Sequence, residues 1–382
     1  MKRLICFFVC ALLFIDSAAA LPDMGVLTAK SAVLCDTNGN ILFEKNPDEP
    51  LQPASVTKIM TMLLVMEAVD SGQAKWDDLV TGSAYAASMG GTQIWLKEGE
   101  QLTLDEMMKA IAVGSANDCA VAVAEHLAGT ETAFVERMNA RAAELGCTNT
   151  KFINANGLDA GEEKTMTSAR DLALISCELL RHPDILNYTT IWMDTIRNGA
   201  FTLANTNKML RRYEGLIGLK TGYISEAGFC ISAAAERSDM RMIAVVMGAP
   251  TKEDRMSDTE KLLNYGFANF ETYMPDLSAV VKPIPIKSGK QDTLPLAAEE
   301  IDPVIIEKGK ADDITEEIEL PGDVEAPVIA GEQIGTLILR DDNGILCTIP
   351  LKAAVSVEKL SFSDVFARLF QYLVMQTSEV NK

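Results

Sequence analysis

Residues 52–69, "QPASVTKIMTMLLVMEAV", form an apolar stretch with a single lysine near its start. Pro53 and Ser55 favour a helix that begins here, and Ser55 and Lys58 then lie on one face because they are three residues apart. A serine hydroxyl is a poor nucleophile without a base, and a lysine can be that base only where burial or a nearby cation lowers its pKa. The simpler alternative is that Ser55 caps the helix and Lys58 extends its ammonium group to water.

A second motif lies in "VGSANDCAV", where Gly114 interrupts an alanine-rich helical pattern. Ser115 and Asn117 follow the interruption directly. A hydroxyl at this position could relay a proton, and the amide could hold an amide of a substrate. Taken alone, the serine is equally explained as the N-cap of the next helix.

A third motif, Lys220-Thr221-Gly222, lies in "IGLKTGYISEAGFC", on a strand of its own or just before the next one. The glycine would let a substrate with a carboxylate lie close along a strand edge, where the lysine and threonine could bind it. Lys220 is also a second cation that could lower the pKa of Lys58. On its own, this tripeptide is too common to indicate a function.

The three motifs occur in the order S-x-x-K, S-x-N and K-T-G, on a helix start, an inter-helix loop and a strand, which is the signature of penicillin-recognising serine enzymes. The chain resembles the D-alanyl-D-alanine carboxypeptidases, the low-molecular-weight penicillin-binding proteins of peptidase family S11. The resemblance covers nearly the whole mature chain. Further stretches that resemble the family are "LTLDEMMKAIAVGSANDCAVAVAEHLAG", "GLDA", "SARDLALI" and "KLLNYGFANFET".

The resemblance implies a role for each motif residue. Ser55 would be the acylated nucleophile and Lys58 its base, and Lys58 and Ser115 would carry protons during hydrolysis. The backbone N–H groups of Ser55 and Tyr223 would form the oxyanion hole; some relatives have histidine in place of Tyr223, so no role follows for its side chain. The residues implied in substrate binding are Asn117, Lys220, Thr221, Gly222 and Arg255.

The implied reaction removes the terminal D-alanine from peptidoglycan stem peptides, and β-lactam antibiotics would acylate the same serine. No metal or organic cofactor is implied. Three alternatives stay open. A D,D-endopeptidase or transpeptidase shares the chemistry, a class A β-lactamase would need a glutamate where His182-Pro183 stands, and a wall-binding scaffold would have no need of the intact motifs.

Hydrophobic patterning predicts an α/β (α+β) fold. A hairpin around Asn38-Gly39 and the strands "GFCISAAAE" and "MRMIAVVMGAP" would form an antiparallel sheet flanked by helices. Helices are predicted over residues 104–127, 131–146, 168–183 and 257–273. Because strands stand at both ends and helices between them, we expect a helical subdomain inserted between parts of one sheet.

The ends of the chain predict export. Residues 1–20 have a positive start, a twelve-residue apolar run and a closing "SAAA", as in a cleaved signal peptide. An uncleaved anchor is the lesser alternative, because a span needs about 20 apolar residues. The enzyme domain would then cover residues 21–275, on the extracytoplasmic face of the bacterial membrane or in the cell wall.

Residues 276–360 change character: prolines recur, strands are short and acidic side chains outnumber basic ones, which predicts a small all-β domain with a solvated surface. Residues 361–382 predict an amphipathic helix that lies on a membrane surface, with packing against the β-domain as the alternative. Its apolar stripe consists of Phe362, Val365, Phe366, Leu369, Phe370, Leu373 and Val374.

Composition excludes several classes of function. A formal net charge of −20 argues against nucleic-acid binding. The two histidines, His126 and His182, are not at metal-ligand spacing, and nothing around them suggests a Ser-His-Asp triad. The six cysteines of the mature chain are scattered singly, so we expect buried thiols that act as small hydrophobic residues: Cys35, Cys119, Cys147, Cys177, Cys230 and Cys347.

Overall fold

The computed structural model describes residues 24–158, 161–277, 281–299, 303–342 and 344–379, with the backbone alone from residue 371. The predicted signal peptide, residues 1–20, therefore lies outside the described residues. So do Asn343 and the side chains of Leu373 and Val374.

The first domain, residues 24–275, contains helices and strands. The helices are α1 (Lys58–Asp70), α2 (Ala84–Ala87), α3 (Leu104–Lys109), α4 (Asn117–Ala128), α5 (Glu131–Glu144), α6 (Ala169–Leu180), α7 (Leu186–Thr189) and α8 (Lys252–Asn269). The strands are β1 (Ser31–Asp36), β2 (Ile41–Lys45), β3 (Leu79–Thr81), β4 (Gln101–Thr103), β5 (Met193–Ile196), β6 (Phe201–Ala204), β7 (Leu216–Ile224), β8 (Gly228–Arg237), β9 (Met240–Ala249) and β10 (Phe270–Tyr273).

The central sheet has the strand order β2-β1-β9-β8-β7 within the described residues, and all its pairs are antiparallel. Its inner strands bury both faces. Val33 and Cys35 of β1 join the core that contains α1 and α6, whereas Ala32 and Leu34 join the core beneath α8. This alternation follows from the two-residue period of a strand. The predicted antiparallel sheet is thus confirmed.

The helical subdomain lies between β2 and β7, as predicted. Its central helix, α1, is buried on nearly all sides, which explains why its sequence is apolar throughout instead of on one stripe. The regular helix begins at Lys58, and a single 3-10 turn, Ala54–Thr57, precedes it. Ser55 therefore lies one turn before the helix start.

The predicted helix over residues 257–273 was wrong at both ends. The helix α8 already begins at Lys252, because the Thr251 hydroxyl accepts a hydrogen bond from the N–H of Asp254 and caps it. It ends at Asn269, and the next four residues are β10, an extended strand whose partner lies beyond residue 300. Only a distant strand makes this segment extended, so local pattern could not reveal it.

The second domain follows residue 275 and is built of strands, as predicted. They are β11 (Ile284–Lys287), β12 (Thr293–Leu294), β13 (Leu296–Ala298), β14 (Val304–Glu307), β15 (Thr315–Glu319), β16 (Val324–Glu325), β17 (Gln333–Asp341) and β18 (Gly344–Ala353). The strands β17 and β18 form an antiparallel hairpin. The strand β14 pairs antiparallel with β10 and so joins the two domains.

The chain continues into a helix, α9 (Phe362–Glu379). Its first apolar side chains face solvent: Phe362 is 88% exposed and Phe366 63%. One contact of α9 with the second domain is polar, since Arg368 bonds to the Asp292 carboxylate and the Lys290 carbonyl. Within the described part of the chain, the helices are too short or too polar to cross a membrane.

The cysteines of the described residues carry free thiols. Five of them are buried, as expected for thiols used as small hydrophobic residues, and Cys347 is half-buried. The Sγ atoms of Cys35 and Cys177 lie 3.9 Å apart, where β1 meets α6.

Candidate active site

Ser55 and Lys58 meet at the start of α1. The 3-10 turn places the half-buried Ser55 hydroxyl 3.1 Å from the Lys58 Nζ, which donates to it. Ala54 takes up a left-handed conformation (φ 49°), which is costly for a residue with a side chain. Gly157 packs directly on the carbonyl of Ala54, where a Cβ atom would collide. The turn that presents Ser55 is therefore held in place by the loop around residue 157.

Lys58 is completely buried, and its Nζ makes three contacts. Besides Ser55, it donates to the Asn117 Oδ1 at 2.6 Å and to the Asn156 carbonyl at 2.7 Å. Burial first, and then the charge of Lys220, lower the pKa of Lys58 well below its usual value. A lysine in this setting can reach its neutral form and take a proton from the serine beside it.

Ser115 and Asn117 belong to a second wall, which reaches Lys58 through the Asn117 side chain. The helix α3 passes into a π-helical turn, Ala110–Gly114, and the chain then reverses at Ser115, which is left-handed with φ 62°. Asn117 begins α4, and its side chain bridges Lys58 to the Gly90 carbonyl. Ser115 is therefore not the cap of α4, because Ala116 has that position. The left-handed backbone at Ser115 thus separates the π-helical turn from α4 and leaves the serine outside both helices.

Asp118 lies outside the three sequence motifs and holds the backbone of this wall in place. Its buried carboxylate accepts hydrogen bonds from the backbone N–H groups of Ile94, Leu96 and Cys119. The negative charge of Asp118 also raises the pKa of Lys58 and so partly offsets the effects of burial and of Lys220. The only local signal for this role is an acidic residue at the start of an otherwise apolar helix.

Lys220, Thr221 and Gly222 lie on β7, the end strand of the central sheet. Gly222 faces the turn that carries Ser55: a Cβ atom there would come within 2.5 Å of the Pro53 carbonyl oxygen and 3.0 Å of the Ser55 nitrogen. The absence of a side chain thus allows β7 to lie directly against the turn that carries Ser55. This contact makes β7 the third wall of the cleft.

Lys220, the lysine of the third wall, is buried. Lys220 donates to the Thr221 carbonyl at 3.0 Å, and burial followed by the charge of Arg255 lowers its pKa to about 7. The Thr221 hydroxyl bonds to that of Thr206, on the segment that follows β6. Two buried lysines therefore share the site, and the charge of Lys220 favours the neutral form of Lys58.

Arg255, placed only by resemblance, also reaches this wall. It lies in the first turn of α8, and its Nη1 makes long hydrogen bonds, 3.5 and 3.4 Å, to the carbonyls of Gly222 and Cys230. Its Nε has no partner within the described residues. The Phe229 ring contacts the Arg255 guanidinium group, 5.7 Å from its centroid, and stacks on the exposed ring of Tyr223, with centroids 4.3 Å apart.

The structure thus brings together all three motifs. What the sequence could not reveal are backbone contributions, above all the Asn156 carbonyl that accepts from Lys58. Its loop is shaped by Asn154, whose side chain accepts from the N–H groups of residues 156 and 157. The run Asn-Ala-Asn-Gly is the only sequence signal for this tight turn.

Comparison with known families follows the same division into two domains. The profile described as D-alanyl-D-alanine carboxypeptidase, peptidase S11, matches residues 17–251. The profile described as the C-terminal domain of penicillin-binding protein 5 matches residues 276–359.

Individual proteins give the same result. The chain is 41% identical to D-alanyl-D-alanine carboxypeptidase DacF of Bacillus subtilis over 346 residues, which cover 89% of this chain and 88% of that protein. Its structure is similar to penicillin-binding protein 5 of Haemophilus influenzae, with a TM-score of 0.74 and 32% identity over 88% of this chain and 99% of that one. It is also similar to penicillin-binding protein D2 of Listeria monocytogenes in its ampicillin-bound form, with a TM-score of 0.56 and 36% identity over 63% of this chain and 98% of that one.

Proposed function

The chain belongs to the S11 family of D-alanyl-D-alanine carboxypeptidases, and we propose that it exerts this activity through a covalent acyl-enzyme on Ser55. The observation that carries the proposal is the contact between the buried Lys58 Nζ and the Ser55 hydroxyl. A buried lysine with a lowered pKa beside a serine is a base placed next to a nucleophile.

In the first step, neutral Lys58 takes the Ser55 proton while the Ser55 Oγ attacks the carbonyl between the last two D-alanines of a stem peptide. The backbone N–H groups of Ser55 and Tyr223 would stabilise the negative oxygen that forms. The close approach of Gly222 to the Ser55 nitrogen supports this role, because it puts the two backbone segments side by side. The proton then passes to the leaving amine, and the terminal D-alanine departs.

The third wall would bind the carboxylate of that terminal residue. Lys220, Thr221 and Arg255 supply two cations and a hydroxyl along one strand edge. The side-chain amide of Asn117 would bind the peptide backbone on the opposite side. A carboxylate entering here meets cations that are already buried, so the interaction is stronger than it would be in water.

Hydrolysis completes the cycle. Water attacks the acyl-enzyme, with Lys58 and Ser115 as the proton carriers, and releases the shortened peptide. A β-lactam would acylate Ser55 in the same way: its amide bond opens, and the new ester is hydrolysed slowly because the ring nitrogen stays attached. The ampicillin-bound relative supports β-lactams as ligands of this site.

The test is release of D-alanine from a stem pentapeptide by the full-length enzyme and by Ser55→Ala. We expect the substitution to abolish release, and Ser257→Ala, an exposed serine on α8, to leave it unchanged. Mass spectrometry after exposure to penicillin should find one adduct, on the peptide that contains Ser55. Undiminished release by Ser55→Ala would refute the assignment.

A class A β-lactamase would need a deacylating glutamate at the position of His182-Pro183, and the structure does not favour this activity. His182 there contacts Asp70, at the last residue of α1. Lys58 is the first residue of the same helix, about 18 Å away at 1.5 Å per residue. An additional base in that position would be too far from Ser55 to activate water.

We also propose that the enzyme is exported by residues 1–20 and rests on the extracytoplasmic face of the cell membrane through residues 361–382, with residues 21–275 as the catalytic domain and 276–360 as a small β-rich domain. The exposed apolar side chains on α9 support this placement, because they would be buried by lipid.

The membrane proposal is tested by sedimentation with lipid vesicles. We expect the full mature chain to sediment with them, and Phe366→Ser with Leu369→Ser to remain in solution with D-alanine release intact. Equal sedimentation of both forms would mean that this stripe does not hold the enzyme on lipid.

A further inference from the structure

Trp95 is an unusual residue beside the second wall. It is 66% exposed, although it stands between two buried residues, Ile94 and Leu96. Both neighbours donate their N–H groups to the Asp118 carboxylate, which fixes the backbone on either side. Trp95 itself is left-handed with φ 55°, a costly conformation for a bulky side chain. A strained backbone conformation at Trp95 therefore holds the indole in its exposed position.

The indole has rigid support. Its ring meets the edge of Phe201, with centroids 5.9 Å apart and planes at 64°. The Arg197 guanidinium lies 5.3 Å from the Phe201 ring on β6 and bonds to both Glu100 oxygens and to the Ile94 carbonyl. We call Trp95 and Phe201 the aromatic shelf. Since Glu100 neutralises Arg197, the shelf presents apolar surface and no free charge of its own.

The shelf is continuous with the site. The loop that carries Trp95 also supplies the carbonyls of Gly90 and Thr92, which accept hydrogen bonds from the side chain and backbone of Asn117. The strand that carries Phe201 leads directly to Thr206, whose hydroxyl bonds to Thr221. The aromatic shelf thus connects the second wall to the third on one side of the cleft.

We propose that the aromatic shelf binds the apolar portion of the stem peptide that precedes the scissile bond, and that Trp95 determines specificity for peptides over shorter acyl donors. This rests on the function proposed above. The cations of the third wall bind the carboxyl end of the substrate, so the preceding residues must leave the cleft elsewhere. The two rings of the shelf are already held in place, so little conformational entropy is lost on binding. An aliphatic chain that lies on them buries apolar surface.

The experiment compares two substrates for each full-length variant. One is a stem pentapeptide that ends in D-Ala-D-Ala, and the other is an N-acetyl-D-Ala-D-Ala dipeptide with nothing to reach the shelf. For Trp95→Ala we expect kcat/KM to fall about tenfold with the pentapeptide, mostly through KM, and to stay unchanged with the dipeptide. Trp95→Phe should recover most of the loss.

Leu79→Ala is the matched control, because Leu79 on β3 is a similarly exposed apolar residue outside the shelf. It should behave as wild type with both substrates. Equal losses with both substrates for Trp95→Ala would mean that Trp95 only supports the fold of its loop, and no loss with either would mean that the shelf binds no substrate. Both outcomes overturn the inference. If wild-type enzyme releases D-alanine from neither substrate, the proposed function itself fails.

Discussion

At the scale of single residues, burial first, and then two buried charges of opposite sign, determine how readily Lys58 accepts a proton. Lys220 lowers its pKa, and Asp118 raises it, against a background of burial that favours the neutral form. The lysine motif alone says nothing about this balance. It depends on residues 60 and 162 positions away in the sequence, which only the fold brings close.

Asp118→Asn should shift the acidic limb of the pH–rate profile for acylation toward lower pH. Without the negative charge of Asp118, the protonated form of Lys58 is less stabilised. The Lys58 pKa therefore falls, and neutral Lys58 is present at lower pH. The measurement is the rate of penicillin acylation as a function of pH. We also expect a loss of unfolding free energy of about 1–3 kcal/mol, because hydrogen bonds to a charged acceptor are replaced. An unshifted limb in a folded variant would contradict the electrostatic role.

Lys220→Gln should shift the same limb in the opposite direction. Without the second cation, protonated Lys58 is less disfavoured, its pKa rises, and a higher pH is needed to reach the free base. The variant also loses affinity for the substrate carboxylate, so the position of the limb, and not the absolute rate, is the informative quantity. A limb that moves downward would contradict the coupling between the two lysines.

At the scale of elements, the break between α3 and α4 presents the second wall. The π-helical turn and the left-handed Ser115 separate the two helices. Backbone strain of this kind is tolerated where function needs it. Strain and chemistry can be separated here, because glycine adopts the left-handed conformation freely, whereas alanine adopts it only with strain.

Ser115→Gly and Ser115→Ala should therefore have the same catalytic defect and different stabilities. Both remove the hydroxyl, and we expect hydrolysis to fall by roughly 10²–10⁴-fold, as for the loss of a proton carrier. The glycine variant should be more stable than the alanine variant by about 1 kcal/mol, measured by urea unfolding. Equal stabilities would mean that the turn at Ser115 is not strained.

Much of this arrangement could be predicted from the sequence. The hairpin around Asn38-Gly39, the inserted helices and the three motifs all follow from local side-chain patterns. The Asn156 carbonyl and the strand β10 could not be predicted, for two different reasons. A backbone carbonyl is present in every residue, so the side chain of Asn156 does not indicate that its carbonyl binds Lys58. The strand β10 is extended only because β14 pairs with it.

At the scale of the whole molecule, β14 belongs to both domains at once. Its alternating side chains divide between them: Ile305 enters the core beneath α8, whereas Val304 and Ile306 enter the core of the second domain. The β10–β14 strand pair therefore joins the two domains. The core of the catalytic domain includes Ile305, which lies beyond residue 275.

Ile305→Ala should destabilise the catalytic domain by about 2–5 kcal/mol, as for other buried isoleucines. Ile306→Ala, its neighbour on the opposite face, should leave that domain unaffected. The measurement is the temperature at which each variant loses penicillin acylation. If the two variants lose acylation at the same lowered temperature, the two cores are not separate in the way that the strand alternation indicates.

The strand order β2-β1-β9-β8-β7 has a consequence for a chain still being made. The first hairpin must wait for β9, which begins 204 residues after β1 ends, and at about 5–20 residues per second this takes roughly 10–40 s. Until then β1, whose six residues are all buried in the folded protein, has no second strand to pair with, so the first hairpin is a segment that needs protection from aggregation.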